Sequence, residues 1–191
     1  VTINYVTRTT VGELTDELVA EVSLEHCGTQ LNTVEELHDW YISSNEDELL
    51  KDAMVEALQE KQTVISRDSL RLEILENYAT QEITYYASMY GVDVDTMATY
   101  FGESSSADYI KMRSEAYSDI IMLFDKLAAD QGISYTQEEK DARLTEYKDN
   151  NGYEDTTLEE FKEQSGEAWL LIYEGVEMRY DDVLEGLMDR V

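Results

Sequence analysis

No proline interrupts this chain of 191 residues, and from Glu13 onward nearly every segment carries apolar residues at helical spacing. Without proline, nothing removes a backbone donor from a helix interior, so helices can run long. Turns must then depend on Gly, Asn, Asp and Ser. A chain 42% hydrophobic and 30% charged has the composition of a folded protein. Its length suits one ordinary domain or two small lobes. The fold class read from these features is all-α.

The exception lies at the N-terminus. Val1, Ile3 and Tyr5 alternate with Thr2, Asn4 and Val6, as in a strand. A strand needs partners, and no second strand pattern follows. Residues 1–10 therefore read as the last strand of an upstream β-containing domain and its linker, with a helical domain over residues 11–191. The absence of an initiator Met fits a fragment or a processed chain.

Capping signals punctuate the helical part. Leu14, Leu18 and Val22 are spaced for one face of a short first helix. Thr33–Glu36, Thr136–Glu139 and Thr157–Glu160 each have the capping-box pattern, in which two residues satisfy each other's free backbone donors. Ser66 stands where a cap is needed before the next stripe, Leu70, Ile74, Tyr78, Ile83, Tyr86 and Tyr90, which Gly91 closes. A short helix is expected over 96–101. The stripe from Tyr109 through Met112, Tyr117, Ile120, Ile121 and Phe124 to Leu127 ends at Gly132. Trp169, Tyr173, Val176, Tyr180, Leu184 and Leu187 mark the last helix. Long helices are thus predicted near 33–62, 67–90, 105–131 and 165–189. The turn-and-helix segment 91–101 echoes 152–161, which leaves open two similar helical arms, about 66–134 and 135–191, or two unrelated turns.

Charge and motif content narrow the function. A net charge of −29, from 43 acids against 14 bases, repels phosphate and disfavours nucleic acid and anionic membranes as partners. Cys27 is the single cysteine, so no internal disulfide forms and no CxxC motif exists. No apolar run is long enough to span a membrane. Asp93-Val-Asp95 begins like a calcium loop, but Ala98 and Ser104 stand where Gly and Glu are required, so it reads as a capped turn. His26 and Cys27 are adjacent and lack an orienting third group, and His38 reads as a surface residue. No phosphate loop, nucleophile elbow or HExxH occurs. The chain carries no catalytic or metal constellation and implies no cofactor.

The unusual surplus is soft apolar material, 14 Tyr and 7 Met. Tyr85–Tyr86 and Tyr100–Phe101 are consecutive, so each pair points two ways from its helix. Either two packed layers cover both faces, or part of the surplus is exposed as an adaptable contact surface. The candidate contacts are Tyr86, Met89, Tyr90, Tyr100, Phe101, Tyr109 and Met112, with Trp169 and Tyr173 in the second half.

A family resemblance runs through the same residues. Val1-Thr-Ile-Asn-Tyr-Val6, a polar link and Gly12-Glu-Leu-Thr-Asp-Glu-Leu-Val19 resemble the junction in bacterial trigger factor between its FKBP-type prolyl isomerase domain and its C-terminal helical domain. The segment from Thr33 to Tyr41 is similar to the start of that domain's first long helix, and SurA-like chaperones share a related helical architecture. The resemblance implies an elongated two-armed domain that holds unfolded or nascent polypeptides in a cradle without ATP, as a monomer or a homodimer. Gly12 replaces the family's usual Pro. The ribosome-docking Gly-Phe-Arg signature is missing, since the phenylalanines are followed by Gly102, Asp125 and Lys162. The resemblance thus implies no ribosome docking and no isomerase activity in this chain. It is compatible with a cytoplasmic protein or with one exported from a Gram-positive bacterium. A non-catalytic scaffolding module, packed on itself or on a partner helix, stays open beside it.

Overall fold

The computed structural model describes residues 12–189. The expected strand at residues 1–6 lies outside them. Among the described residues every regular element is a helix: α1 (Asp16–Cys27), α2 (Val34–Lys61), α3 (Ser69–Tyr90), α4 (Val94–Tyr100), α5 (Ser106–Gln131), α6 (Gln137–Asn150), α7 (Leu158–Gly175), a 3-10 turn (Glu177–Arg179) and α8 (Tyr180–Met188). The fold is all-α. The chain divides into two compact units between Val55 and Glu56, a point inside α2.

In the first unit, Thr15 caps α1 by accepting from the Leu18 N–H. The buried positions are Val19 and Ser23, not the expected Leu14–Leu18–Val22 face. Leu14 and Leu18 are exposed. Ser23 makes this face because its hydroxyl accepts from the Leu31 N–H and donates to the Leu31 carbonyl, tying the following loop back to the helix. The capping box at Thr33 is half formed. Thr33 Oγ1 accepts from the Glu36 N–H, but the Glu36 carboxylate accepts from the Asn32 N–H at 2.6 Å. No residue of α2 is buried.

The second unit is built on the antiparallel pair α3 and α5. Contacts of Arg71 with Asp125, Tyr78 with Tyr117 and Glu82 with Arg113 fix their register. The loop before α3 is pinned to α5 by the Arg67 guanidinium, bidentate to Asp119 at 2.6 and 2.7 Å. Asp68, not Ser66, caps α3, since its carboxylate reaches the Arg71 N–H at 2.8 Å. Gly91 and Gly132 close α3 and α5 in the left-handed conformation, as expected.

The buried face of α3 is Leu75, Ala79, Ile83 and Ala87, and that of α5 includes Ser114, Ser118, Ile121 and Phe124. Of the stripe expected on α3, only Ile83 is fully buried, while Leu70 and Tyr90 are exposed. The face mixes small and large residues: Ala and Ser let the two helices approach closely, and Leu75, Ile83, Ile121 and Phe124 fill the space around them.

The expected single helix over 165–189 is three pieces. Thr157 and Glu160 form their capping box and start α7 at Leu158. Gly166 then adopts φ 79°, ψ 161°, a conformation L side chains rarely take, and breaks α7. At the far end Gly175 lies so close to α5 that a Cβ would sit 2.9 Å from Ile121 Cγ2. The chain then turns through Glu177–Arg179, held by Arg179 on Asp125 at 2.6 Å, before α8 begins. α7 packs on α3, α5 and α6, and α8 packs on α5. The second half of this unit is thus docked on the first.

Thr136–Glu139 forms the second complete box. Replacing the Thr157 hydroxyl leaves the Glu160 N–H without its acceptor at the start of α7. Thr157→Ala is expected to destabilise the protein by about 0.5–2 kcal/mol and Thr157→Ser by much less, measured by urea unfolding. Equal losses for the two variants would contradict the capping role.

Candidate functional site

The end of the α3–α5 pair is closed by α4. Asp93 caps α4, accepting from the Thr96 N–H at 2.9 Å and from its hydroxyl at 2.7 Å. Asp95 accepts from the Ser106 N–H at the start of α5. These bonds, from the backbone N–H first and then the hydroxyl, hold both carboxyls below the usual carboxylate range. Both aspartates of the calcium-loop look-alike are therefore occupied in closing helices.

Under α4 lies a small core of Ile83, Ala87, Met97, Ala98 and Tyr109, with Tyr86 packed against it. A line of rings leads from it to the surface. Tyr109 meets Phe101 at 5.0 Å, Phe101 meets Tyr86 at 5.6 Å, and Tyr86 meets Tyr85 at 5.7 Å. Because Ile83 and Ala87 take the inner face of α3, Tyr85 and Met89, one turn apart, must face outward. Tyr90 and Tyr100, the last residues of α3 and α4, are each 66% exposed, and Phe101 is 45% exposed. Met112 is also exposed, on α5.

Of the residues expected to make contacts here, Met89, Tyr90, Tyr100, Phe101 and Met112 are thus accessible, Tyr86 is half-buried, and Tyr109 is core. Tyr85, in the pair seen to point two ways, belongs with the accessible group. Large apolar side chains left in water at this end carry a solvation cost that burial by a partner would remove.

A polar knot anchors this end. Glu82, on α3, accepts from Arg113 Nε and Nη2 at 3.1 Å each, from the Tyr109 hydroxyl at 3.1 Å and from the Tyr117 hydroxyl at 3.3 Å. Burial first, then the Glu82 charge, push the Tyr109 hydroxyl up to about 12, and the same causes raise Tyr117 further. A raised folded-state pKa makes the folded state hold its proton more tightly than the unfolded chain, whose tyrosines ionise near 10.0. The stabilising contribution is complete below that pH and is lost as pH rises through the folded pKa. Stability is expected to fall between pH 10 and about 12, and Tyr109→Phe is expected to flatten that fall. Urea unfolding at stepped pH measures both. An identical slope in Tyr109→Phe would contradict this assignment.

The other two expected residues lie elsewhere. Trp169 and Tyr173 stack at 5.1 Å with planes 10° apart, inside a second aromatic cluster with Tyr147, Tyr153 and Phe161. Tyr173 is buried and its hydroxyl donates to the Arg143 carbonyl, whereas Trp169 is half-buried. A cleft of about 400 Å³ opens on this cluster, lined by Tyr147, Asn151, Tyr153, Phe161, Gln164, Ser165 and Trp169. The sequence reading included only Trp169 of these. Tyr147 and Phe161 sit on different helices, and only the turn at Asn151 and Gly152 brings them together.

The nine candidate residues therefore fall into two separate groups, one at the α3–α4–α5 end and one at the α6–α7 hairpin. Among the described residues, no three His, Cys, Asp or Glu side chains converge as a metal ion would require, and no helix is long and apolar enough to cross a membrane. No protein-family model, curated protein or solved structure matches the chain.

Proposed function

We propose that this chain is a non-catalytic, ATP-independent holding domain for unfolded polypeptides, of the trigger-factor-like kind that its N-terminal junction resembles. The observation that supports this reading best is the exposed group Tyr85, Met89, Tyr90, Tyr100 and Phe101 at the α3–α4–α5 end. Tyr and Met suit the task, because a flexible thioether and an amphipathic ring adapt to many apolar partners without a shaped pocket. The net charge of −29 would keep a loaded complex dispersed. Affinity for any one client segment would be modest, since such a surface is complementary to none in particular.

Light scattering of a client diluted from denaturant tests the proposal. With no ATP present, an excess of the chain is expected to suppress the rise in scattering, and the effect should survive moderate salt because apolar contact dominates. Unchanged aggregation would reject it.

A second reading, a scaffolding module that packs on a partner helix, draws support from α2. Its 28 residues bury none, and Tyr41, Ile42, Leu49 and Leu50 are exposed along it. A tight complex of fixed stoichiometry that covers α2, without holding activity, would favour that reading.

A further inference from the structure

The cleft at the α6–α7 hairpin has a chemistry different from that of the apolar end, and we infer that it is a binding site for a neutral saccharide. The inference is independent of the holding function. At about 400 Å³ the cleft falls in the range of small-molecule sites, roughly 300–1,000 Å³. No charged side chain lines it, although 30% of the chain is charged. The lining therefore offers no counter-charge to an ionic ligand.

The lining instead combines aromatic rings with neutral hydrogen-bonding groups, and those groups are unengaged. Among the described residues, the Tyr147 and Tyr153 hydroxyls, the Gln164 amide, the Ser165 hydroxyl and the Trp169 indole N–H bond to no other protein group. Asn151 uses its amide nitrogen on the Tyr147 carbonyl at 2.8 Å, which leaves its amide oxygen to face a ligand. The hydroxyls of Tyr109, Tyr117 and Tyr173, by contrast, are all taken up inside the protein.

A quaternary ammonium ligand would leave these donors and acceptors without partners and would need several open ring faces. Here Tyr173 already stacks on the Trp169 indole, and the Phe161 ring meets it at 89°. A sugar ring fits both halves of the lining. Its C–H face can lie on the exposed Tyr153 ring, and its hydroxyls both donate and accept, as the Gln164 amide, Ser165 and the phenols do.

The cleft is also well braced. Lys148, buried beneath the turn, donates to the Tyr153 carbonyl at 2.8 Å and to Asp149 at 2.5 Å, which fixes the segment that carries Tyr153. Lys162 on Asp141 at 2.8 Å ties α7 to α6 on the same hairpin.

The chain has only two tryptophans, so indole N–H resonances report the site directly. The experiment titrates the intact chain separately with cellobiose, maltose and N,N′-diacetylchitobiose, and as controls with tetramethylammonium and N-acetylphenylalaninamide. Trp169→Phe assigns the two signals. At least one saccharide is expected to shift the Trp169 signal saturably while Trp40 stays still. Gln164→Ala, an exposed position, is expected to weaken that binding about tenfold with an unchanged melting temperature. The inference is overturned if no saccharide shifts Trp169, if both indoles respond alike, if Gln164→Ala binds as tightly as the parent, or if only the ammonium or the peptide amide binds.

Discussion

Phe124→Ala is expected to destabilise the protein by about 3–5 kcal/mol, the usual range for removing a fully buried ring. Phe124 has no exposed surface, and its ring stacks on Tyr180 at 5.8 Å with planes 17° apart. It stands on α5 one turn from Ile121, which Gly175 of α7 touches, and it faces α8, whose Val183 and Leu184 are also fully buried. No rearrangement of one helix can refill the hole, because α5 is held from several sides. Urea unfolding measures the loss. A cost below about 1 kcal/mol would mean that α8 does not dock on α5 as described.

The opposite behaviour is expected of Tyr90 and Tyr100. Each ends its helix and each is largely in water, so Tyr90→Ser combined with Tyr100→Ser should change stability by no more than about 0.5 kcal/mol per site. Holding should suffer far more. If these rings supply even ~1.4 kcal/mol of contact to a client, the chain concentration that half-suppresses aggregation rises about tenfold. Unfolding and light scattering on the same preparations separate the two effects. A variant that is much less stable, or one that holds as well as the parent, would remove these rings from the proposed surface.

The sequence was most legible where a side chain closes its own helix. The boxes at Thr136 and Thr157 and the glycines at 91 and 132 lie at helix ends as read, because capping is local chemistry between residues three or four apart. It was least legible where small residues make the contact. The close face of α3 and α5 includes Ala79, Ala87, Ser114 and Ser118, which no stripe of large apolar side chains marks; the stripes hold Ile83, Ile121 and Phe124, which are inside, but also Tyr90, which is exposed, and they omit the buried Leu75. Ser23 on α1, buried beside Val19, is a polar residue made fit for the inside by the backbone of Leu31, which both donates to its hydroxyl and accepts from it. The break of the last helix had two local sources in sequence, Gly166 and Gly175. What makes the second matter is its closeness to Ile121, a contact between distant parts of the chain.

The candidate contacts divided along the same line. Of the consecutive aromatic pairs, Tyr85–Tyr86 divides into an exposed and a half-buried side chain, whereas Tyr100 and Phe101 are both exposed. Spacing could not say that Tyr109 lies under α4 or that Tyr173 lies beneath Trp169. Nor could it join Tyr147 to Phe161 across a turn.

The central claim, that an unfolded client rests on the α3–α4–α5 end, is tested most directly by methionine methyl resonances. Met89 and Met112 are exposed at that end, and Met97 and Met178 are buried. Added unfolded client is predicted to shift or broaden the Met89 and Met112 signals saturably, to leave Met178 unchanged, and to have no effect once the client has folded. A client that suppresses none of these signals, or that perturbs Met178 while Met89 and Met112 stay still, would contradict the account.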